Sequence, residues 1–394
     1  MFTEVEIGNF KCLGLFIRPL GSLTLLTGLN AAGKSSVAQI FALLKQTVVD
    51  NEWSRALHLN GSSIQLGTMY DVIDRNVGGS GFHIGLKTPS WSAQWHTTSE
   101  DRKRELVAQL QRIRIEWDDA TMEWTKEEIS NRSIRQLIPD FSRGFVPEHE
   151  QMRASLASIS FIGAERIGPR EVYVAQNPMP YADVGAQGEK TPWCLEQFAD
   201  DPVNPSLALP GIAETVRLTV QGWMEQLFPG FQLQINRVDA ANLVTMGIRT
   251  SPRGDFFRPA NVGFGLSHVL PIVTGCVAAR PGRLVVVENP ETHLHPAGQS
   301  LIGYFLAVAA SGGVQLIVET HSDHVLNGAR RAIRDQRLSA DKARIYYFRT
   351  ALGVNGEPAT VVDNVTVEQT GKIKNWPAGF FDQMDADLDY IYRD

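Results

Sequence analysis

The sequence predicts an α/β fold built on a parallel sheet, with a helical insertion and a short C-terminal extension. Three observations predict it. Leu23 to Thr27 (LTLLT) is a short apolar strand that passes through a glycine loop into a helical pattern. Leu284 to Val287 is fully apolar, as a strand buried on both faces of a parallel sheet must be. A helical pattern after Pro296 and a second apolar strand at Val314 to Val318 then complete a strand–helix–strand unit.

Residues 1–98 form the N-terminal part of the core. After the glycine loop, Val37, Ile40, Phe41 and Leu44 recur at i, i+3, i+4, i+7, one buried helix face. Residues 99–160 are expected as a helical insertion, because EDRKRELVAQLQRIRIEW and WTKEEISNRSIRQLI are charged and helix-favouring. Their apolar heptads are not sustained, which excludes a long coiled-coil arm. In residues 161–280, FIGAERIGPR reads as a strand entering a Gly-Pro turn. A helix follows with Val216, Val220, Trp223 and Leu227 on one face, then alternating strand residues, then VGFGLSHVLPIV. Residues 281–350 hold the strand–helix–strand unit, with Leu301, Tyr304, Phe305 and Val308 on its helix face. In the extension, 351–394, Phe381, Met384, Leu388 and Ile391 stand at helical spacing, so Asp385, Asp387 and Asp389 read as the wet face of a terminal helix rather than as metal ligands.

Composition narrows the classes. The chain has 394 residues, 43% hydrophobic and 20% charged, enough for one large domain with insertions or for two. A net charge of -6 excludes a surface coated for nucleic acid and leaves only local basic patches for such contacts. Cys12, Cys194 and Cys276 are scattered, with no zinc-ribbon or disulfide pattern, and fit a reducing cytoplasm. The N-terminus does not read as a signal peptide, and no apolar run approaches the ~20 residues of a membrane helix, so no membrane partner is expected.

The strongest motif is Gly28-Leu-Asn-Ala-Ala-Gly33-Lys34-Ser35, the G-x4-G-K-[ST] phosphate-binding loop, placed between a strand and a helix. Backbone N–H groups from Asn30, Ala31, Ala32, Gly33 and Ser36, at a helix N-terminus, make an anion site. Lys34 is expected on the β- and γ-phosphates of ATP and the Ser35 hydroxyl on Mg²⁺. The apolar strand ending at Glu288 has the Walker B pattern, in which the acid helps hold Mg²⁺. His321, after the second apolar strand, can donate a hydrogen bond to the γ-phosphate. HSDH has HxxH spacing and HLH adds His293 and His295, but the phosphate-loop context accounts for these positions better than zinc does. Gly263-Phe-Gly265-Leu-Ser267 is a glycine-rich turn opening a helix shortly before the Walker B strand.

Taken in order, NFK (Asn9 to Lys11), GLNAAGKSS, GAERIGPR, GFGLSHVLP, ENPETHLHP, ETHSDHVLNGAR and WPAGFF resemble the ABC-like AAA ATPases of bacteria related to the OLD family, those that end in a small domain of unknown function. The resemblance covers nearly the whole chain and is weakest over the insertion. It implies a head like that of ABC and SMC ATPases and a homodimer, or higher oligomer, closed around ATP. Gly265 and Ser267 would belong to the signature motif facing the opposite subunit's γ-phosphate, Glu288 to Walker B, and His321 would be the switch histidine. Relatives work in phage-defence, retron-like or DNA-repair settings, often beside a nuclease, so an effector such as a nuclease is the expected partner.

Two departures matter. Too few residues follow the last core strand for the TOPRIM nuclease domain of OLD proteins. Asn289 stands where ABC ATPases usually carry the water-activating glutamate, and an amide cannot take that proton. Glu291 is a candidate substitute, and hydrolysis is expected to be slow, suited to a switch. Arg166 and Arg170 are candidates for phosphate or nucleic acid, or Arg166 for pairing with a core-edge acid. Arg330, Arg331 and Arg334, and the insertion's Arg102, Lys103, Arg104, Arg112 and Arg114, are candidates for DNA, although charge runs are usually solvated faces. Alternatives are an ATPase acting directly on DNA, a self-contained metal-dependent nuclease and a transporter ATPase.

Overall fold

The computed structural model describes residues 1–74, 77–117, 120–140, 147–251, 253–352 and 356–392. Along the chain run β1 (Glu4–Phe10), β2 (Leu13–Pro19), β3 (Leu23–Gly28), α1 (Lys34–Asp50), β4 (Ala56–His58), α2 (Met69–Val72), β5 (His83–Lys87), β6 (Trp91–Thr98), β7 (Val107–Trp117) and β8 (Ala120–Thr125). Next come α3 (Lys126–Ser130), β9 (Ile134–Arg135), β10 (Ile138–Pro139), α4 (Pro147–Ala157), β11 (Ser160–Ile162), β12 (Val172–Val174), α5 (Thr191–Gln197), α6 (Val216–Leu227), β13 (Gln232–Val238) and β14 (Leu243–Arg249). The remainder holds α7 (Phe264–Val277), β15 (Leu284–Glu288), α8 (Pro296–Ser311), β16 (Gln315–Glu319), α9 (Asp323–Arg334), β17 (Ala343–Leu352), β18 (Pro358–Val365) and α10 (Gln383–Ile391).

The site rests on a six-stranded sheet of order β11-β15-β16-β3-β17-β18. Its first five strands are parallel and β18 pairs antiparallel to β17. Burial on both faces explains the unbroken apolar runs. Leu23, Leu25, Val285, Val287, Leu316 and Val318 pack toward α7, α8 and α9. Leu26, Leu284, Val286 and Ile317 pack the other way, toward α1 and a second sheet. That second sheet is antiparallel, of order β2-β1-β5-β6-β7-β4, with β8 also paired to β7.

The parallel sheet is as the sequence predicts, but the helical insertion is not. Residues 107–117 and 120–125 are strands, and the helical parts of 99–160 among the described residues are α3 and α4. Leu106, Leu110, Ile113 and Trp117 fall at helical spacing, so periodicity alone supports a helix. The competing alternation wins: Ala108, Leu110, Ile113 and Ile115 are buried while Gln109, Arg112 and Arg114 are exposed. β-Branched Ile113 and Ile115 suit a pleated surface. A bulge opposite His96/Thr97 accommodates the one break in the alternation. The expected limits also cut across sheets. The 98/99 limit separates the paired strands β6 and β7, and 350/351 falls inside β17.

Helices α8 and α9 approach through glycines. A Cβ on Gly303 would lie 2.1 Å from the Val325 carbonyl oxygen, and one on Gly328 would lie 2.0 Å from that of Ser300. The terminal helix exists as α10, with Asp387 and Asp389 exposed; the side chain of Asp385 lies outside the described residues. On its apolar stripe Phe381 packs against the core, whereas Met384 is 71% exposed and Ile391 67%.

Candidate nucleotide site

β3 brings the glycine loop to the C-terminal edge of the sheet, where ligands bind in open α/β folds. Gly28, at φ 131°, passes so close to β17 that a Cβ would lie 2.0 Å from the Phe348 carbonyl oxygen. Gly33, at φ 102°, caps α1 in a left-handed turn that leaves the helix N-terminus open. Asn30 and Ala31 are exposed on the loop, whereas Ala32 is buried and its carbonyl accepts from Thr360 Oγ1 at 3.1 Å. Lys34 is only 3% exposed, and its Nζ donates to the carbonyls of Gly28 (3.0 Å) and Leu29 (2.6 Å). Burial lowers its pKa, opposed by Glu319 and Glu291. Ser36 is buried beside Cys12. A cleft of about 460 Å³ opens over the loop, lined by Lys11, Lys34, Ser35, Gln39, Glu319 and His321.

The acids are arranged differently from the sequence expectation. Ser35 Oγ donates to Glu319 Oε1 at 2.7 Å, so the acid on the Mg²⁺-type hydroxyl ends β16, not β15. Glu288 instead accepts from the Ala164 backbone N–H at 3.1 Å and faces a neighbouring groove shared with Gln39 and the 61–66 loop. Burial, then Glu319, push the Glu288 carboxyl up to about 7, against Ala164, Arg166 and Lys11. Glu319 is also raised, first by burial, while Ser35 and Lys34 hold it down. Its Oε2 is buried with no hydrogen-bond partner among the described residues. Two crowded carboxylates and a hydroxyl, all hard oxygens, fit Mg²⁺, and the loop's N–H groups with Lys34 fit a polyphosphate.

Glu291 braces the switch segment. Its Oε2 accepts from Thr320 Oγ1 and its Oε1 from the His321 backbone N–H, both at 2.8 Å. Each oxygen thus accepts one hydrogen bond from the switch segment. His321 is exposed at the cleft, and burial of its ring and Lys34 lower its pKa, against Glu291. A neutral imidazole offers one N–H donor. Asn289 adopts a left-handed φ of 45°, and its Oδ1 is buried without a partner among the described residues. Among the described residues Arg166 makes no hydrogen bond to a core-edge acid, although the charges of Glu291 and Glu288 favour its own. Its guanidinium donates to the carbonyls of Gly163, Glu288 and Asn289, each at 2.7 Å. It thus fixes the Walker B turn, and burial lowers its pKa to about 10.

The glycine-rich turn opens α7 as expected, but Ser267 faces inward. It is 7% exposed, in the fourth position of the helix, with its Oγ buried. The exposed end is Gly263 and Phe264. Gly265 serves close packing: a Cβ there would lie 2.8 Å from the carbonyl oxygen of His293 in the Walker B turn. His268 and His293 meet edge to face at 4.7 Å. His324 stands 3.7 Å from Asp323.

Among the other basic candidates, Arg170 is exposed, and Arg104, Arg112 and Arg114 face Asp101, Glu123 and Glu116. Arg330, Arg331 and Arg334 join Lys372 around a groove of about 720 Å³ whose lining contains no acid among the described residues. Sequence reasoning missed Lys11, Gln39 and above all Glu319 as site residues. The signal for Glu319 was present, since β16 is itself an apolar strand ending in an acid.

Residues 115–327 match the family described as "AAA domain, putative AbiEii toxin, Type IV TA system", and residues 338–391 match "Protein of unknown function (DUF3696)". The glycine loop precedes the first matched stretch, so its assignment rests on its own geometry. No curated protein matches. Among solved structures, an SmcHead bound to the C-winged helix domain of ScpA is similar over 92% of this chain and 98% of its own, at 12% identity and TM-score 0.51. The SMC head domain from Thermotoga maritima matches at 14% identity and TM-score 0.43, over 91% of this chain and 98% of its own. An Smc head with an extended coiled coil, bound to the C-terminal domain of ScpA and derived from Pyrococcus furiosus, matches at 10% identity and TM-score 0.48, over 100% and 99%. The first of these likenesses shows the fold: that of an SMC-type ATPase head.

Proposed function

We propose that this chain, which belongs to the AAA-domain family of P-loop ATPases, is a slow ATP-driven switch that closes as a homodimer and acts through a second protein. The observation that carries this reading is the arrangement of Lys34, Ser35 and Glu319 at the mouth of the glycine loop. Lys34 rests on its own loop's carbonyls, contacts it can exchange for charge-assisted ones to β- and γ-phosphates. Ser35 and an acid at the sheet edge beside it would hold Mg²⁺, which supplies positive charge at the phosphates. His321 donates toward the γ-phosphate, its backbone N–H held by Glu291. The exposed N-terminus of α7 is the surface offered to an opposite subunit's phosphate.

Asn289 in place of a carboxylate supports slow hydrolysis and a long-lived closed state. The family description names a toxin of a type IV toxin–antitoxin system, which supports a defence role with a nuclease or toxin as output. A cytoplasmic setting fits three free cysteines. No helix among the described residues is long and apolar enough to cross a membrane. One observation favours a second reading, direct action on DNA: the acid-free groove of Arg330, Arg331, Arg334 and Lys372. Sizing the purified chain with and without ATP, beside the Lys34→Ala variant, tests the main reading. Wild type should bind ATP and shift to a dimer, and the variant should do neither. A wild type that binds no ATP, or a variant that binds it equally well, overturns it.

A further inference from the structure

We infer that Glu319, not the Walker B residue Glu288, is the carboxylate that holds Mg²⁺ next to the Ser35 hydroxyl. The inference rests on the nucleotide reading above and adds to it the residue that makes ATP binding depend on the cation.

Strand order separates the two acids. β16 lies between β15 and β3, in register so that Glu319 partners both Glu288 and Leu26. Neighbouring strands are ~4.8 Å apart, so Glu288 starts a full strand spacing farther from the loop than Glu319 does. The side chains keep that order. Glu319 reaches Ser35 Oγ at 2.7 Å and lines the cleft with Lys34 and His321. Glu288 is turned toward the Ala164 N–H and lines the groove beyond.

Glu319 is also incompletely partnered in a way that calls for a cation. It is 4% exposed, and while Oε1 accepts from Ser35, Oε2 is buried without a partner among the described residues. A buried carboxylate oxygen without a donor is costly, and a divalent ion bridging hydroxyl, carboxylate and phosphate removes that cost. Glu291 is turned away from this place, toward Thr320 and the His321 N–H, and is not among the residues that line the cleft. Glu288 then acts one position out, on the ion's water shell or on the Ala164 turn.

The test is nucleotide affinity rather than turnover. Binding of a fluorescent ATP analogue is titrated with Mg²⁺ and with EDTA, and Mn²⁺ replaces Mg²⁺ for detection by electron paramagnetic resonance. Glu319→Gln should bind the analogue in EDTA as well as wild type does, or better, but lose at least ~10-fold of the gain that Mg²⁺ confers, and it should not order Mn²⁺. Glu288→Gln should keep most of that gain. Glu319→Asp, which retains the charge, should recover part of it, and a thermal melt guards against misfolding. Should Glu319→Gln fail to fold, Ser35→Ala with Glu288→Gln gives the same comparison from the hydroxyl side: a loss of the gain in the first alone supports the assignment. A full Mg²⁺ gain in Glu319→Gln, or its loss only in Glu288→Gln, overturns the assignment. A wild type that binds no nucleotide in either buffer is the separate failure of the nucleotide reading itself.

Discussion

Glu288 and Glu319 are register partners at the C-terminal ends of β15 and β16, two carboxylates side by side with the glycine loop beyond the second. Burial first, and then the neighbouring charge of Glu319, raise the Glu288 carboxyl to about 7. A positive charge would relieve that crowding, and the parts of the site around it can be probed one at a time.

Closure between subunits should depend on the tip of α7. Gly263 has an ordinary φ of -60°, and a Cβ added to it would meet nothing within 4 Å, so a side chain there is tolerated by its own subunit. Gly263→Arg should leave ATP binding and melting temperature unchanged and abolish the ATP-dependent dimer in a sizing experiment. Ser267→Arg, at a buried position, should instead lower stability. A Gly263→Arg protein that still dimerises in ATP means that α7 does not face the partner.

Hydrolysis should respond to Asn289. General-base help is commonly worth ~10²–10⁴-fold. Asn289→Glu restores a carboxylate, at a cost of ~1 kcal/mol for a left-handed residue less tolerant than asparagine. We expect kcat to rise by ~10-fold or more. Glu291→Gln should lower turnover and weaken ATP binding together, because an amide cannot accept from both Thr320 and His321. An unchanged rate in both variants, measured by phosphate release, would place the catalytic edge elsewhere.

Acid sensitivity should trace to Asp183. Burial opposes its ionisation, but Lys45 at 2.8 Å and Lys190 at 3.2 Å overcome this and hold its pKa down at about 2. A carboxylate depressed below its unfolded value of ~3.9 stabilises the fold above that pH, and the contribution disappears as pH falls toward the folded value. Asp183→Asn, which strands Lys45, should cost ~3–5 kcal/mol at pH 7 in denaturant unfolding. The difference from wild type should hold from pH 7 to ~4 and narrow below that. A difference that stays constant through the acid range would mean that the charge of Asp183 is not what is lost.

The α8–α9 crossing should tolerate no side chain. Gly328→Ala places its Cβ 2.0 Å from a backbone oxygen that cannot turn aside, and overpacking of this kind costs ~1–3 kcal/mol. The denaturant midpoint should fall accordingly. Gly282→Ala is no control, because its φ of 88° is strained for alanine, whereas Gly263→Ala, open and unstrained, should be neutral.

What was legible in the sequence was local. The loop from Gly28 to Ser35, the α1 face of Val37, Ile40, Phe41 and Leu44, and the strand–helix–strand unit are each specified within a few residues, and all are present. What was not legible depended on neighbours distant in sequence. Arg112 and Arg114 make β7 look like a charged helix until β6 and β8 supply the ladder that leaves them on the open face. The burial of Ser267 on α7 follows from the packing of neighbours such as Leu266 and Leu270, which the glycine-rich turn alone does not reveal. Glu319 becomes a site residue only because the sheet order inserts β16 beside β3, which no spacing along the chain reveals.

α8 leaves the Walker B turn and α9 leaves the switch turn, and at Gly303 and Gly328 the two backbones touch with no side chain to act as a cushion. Neither helix can slide without carrying the other. They form one lever, whose α9 end follows His321 at the cleft over the glycine loop. Its far arm, the ~18 Å of the 12-residue α9, ends among Arg330, Arg331 and Arg334. A tilt of α9 at the switch turn would therefore be felt ~18 Å away, as a displacement of the positive groove.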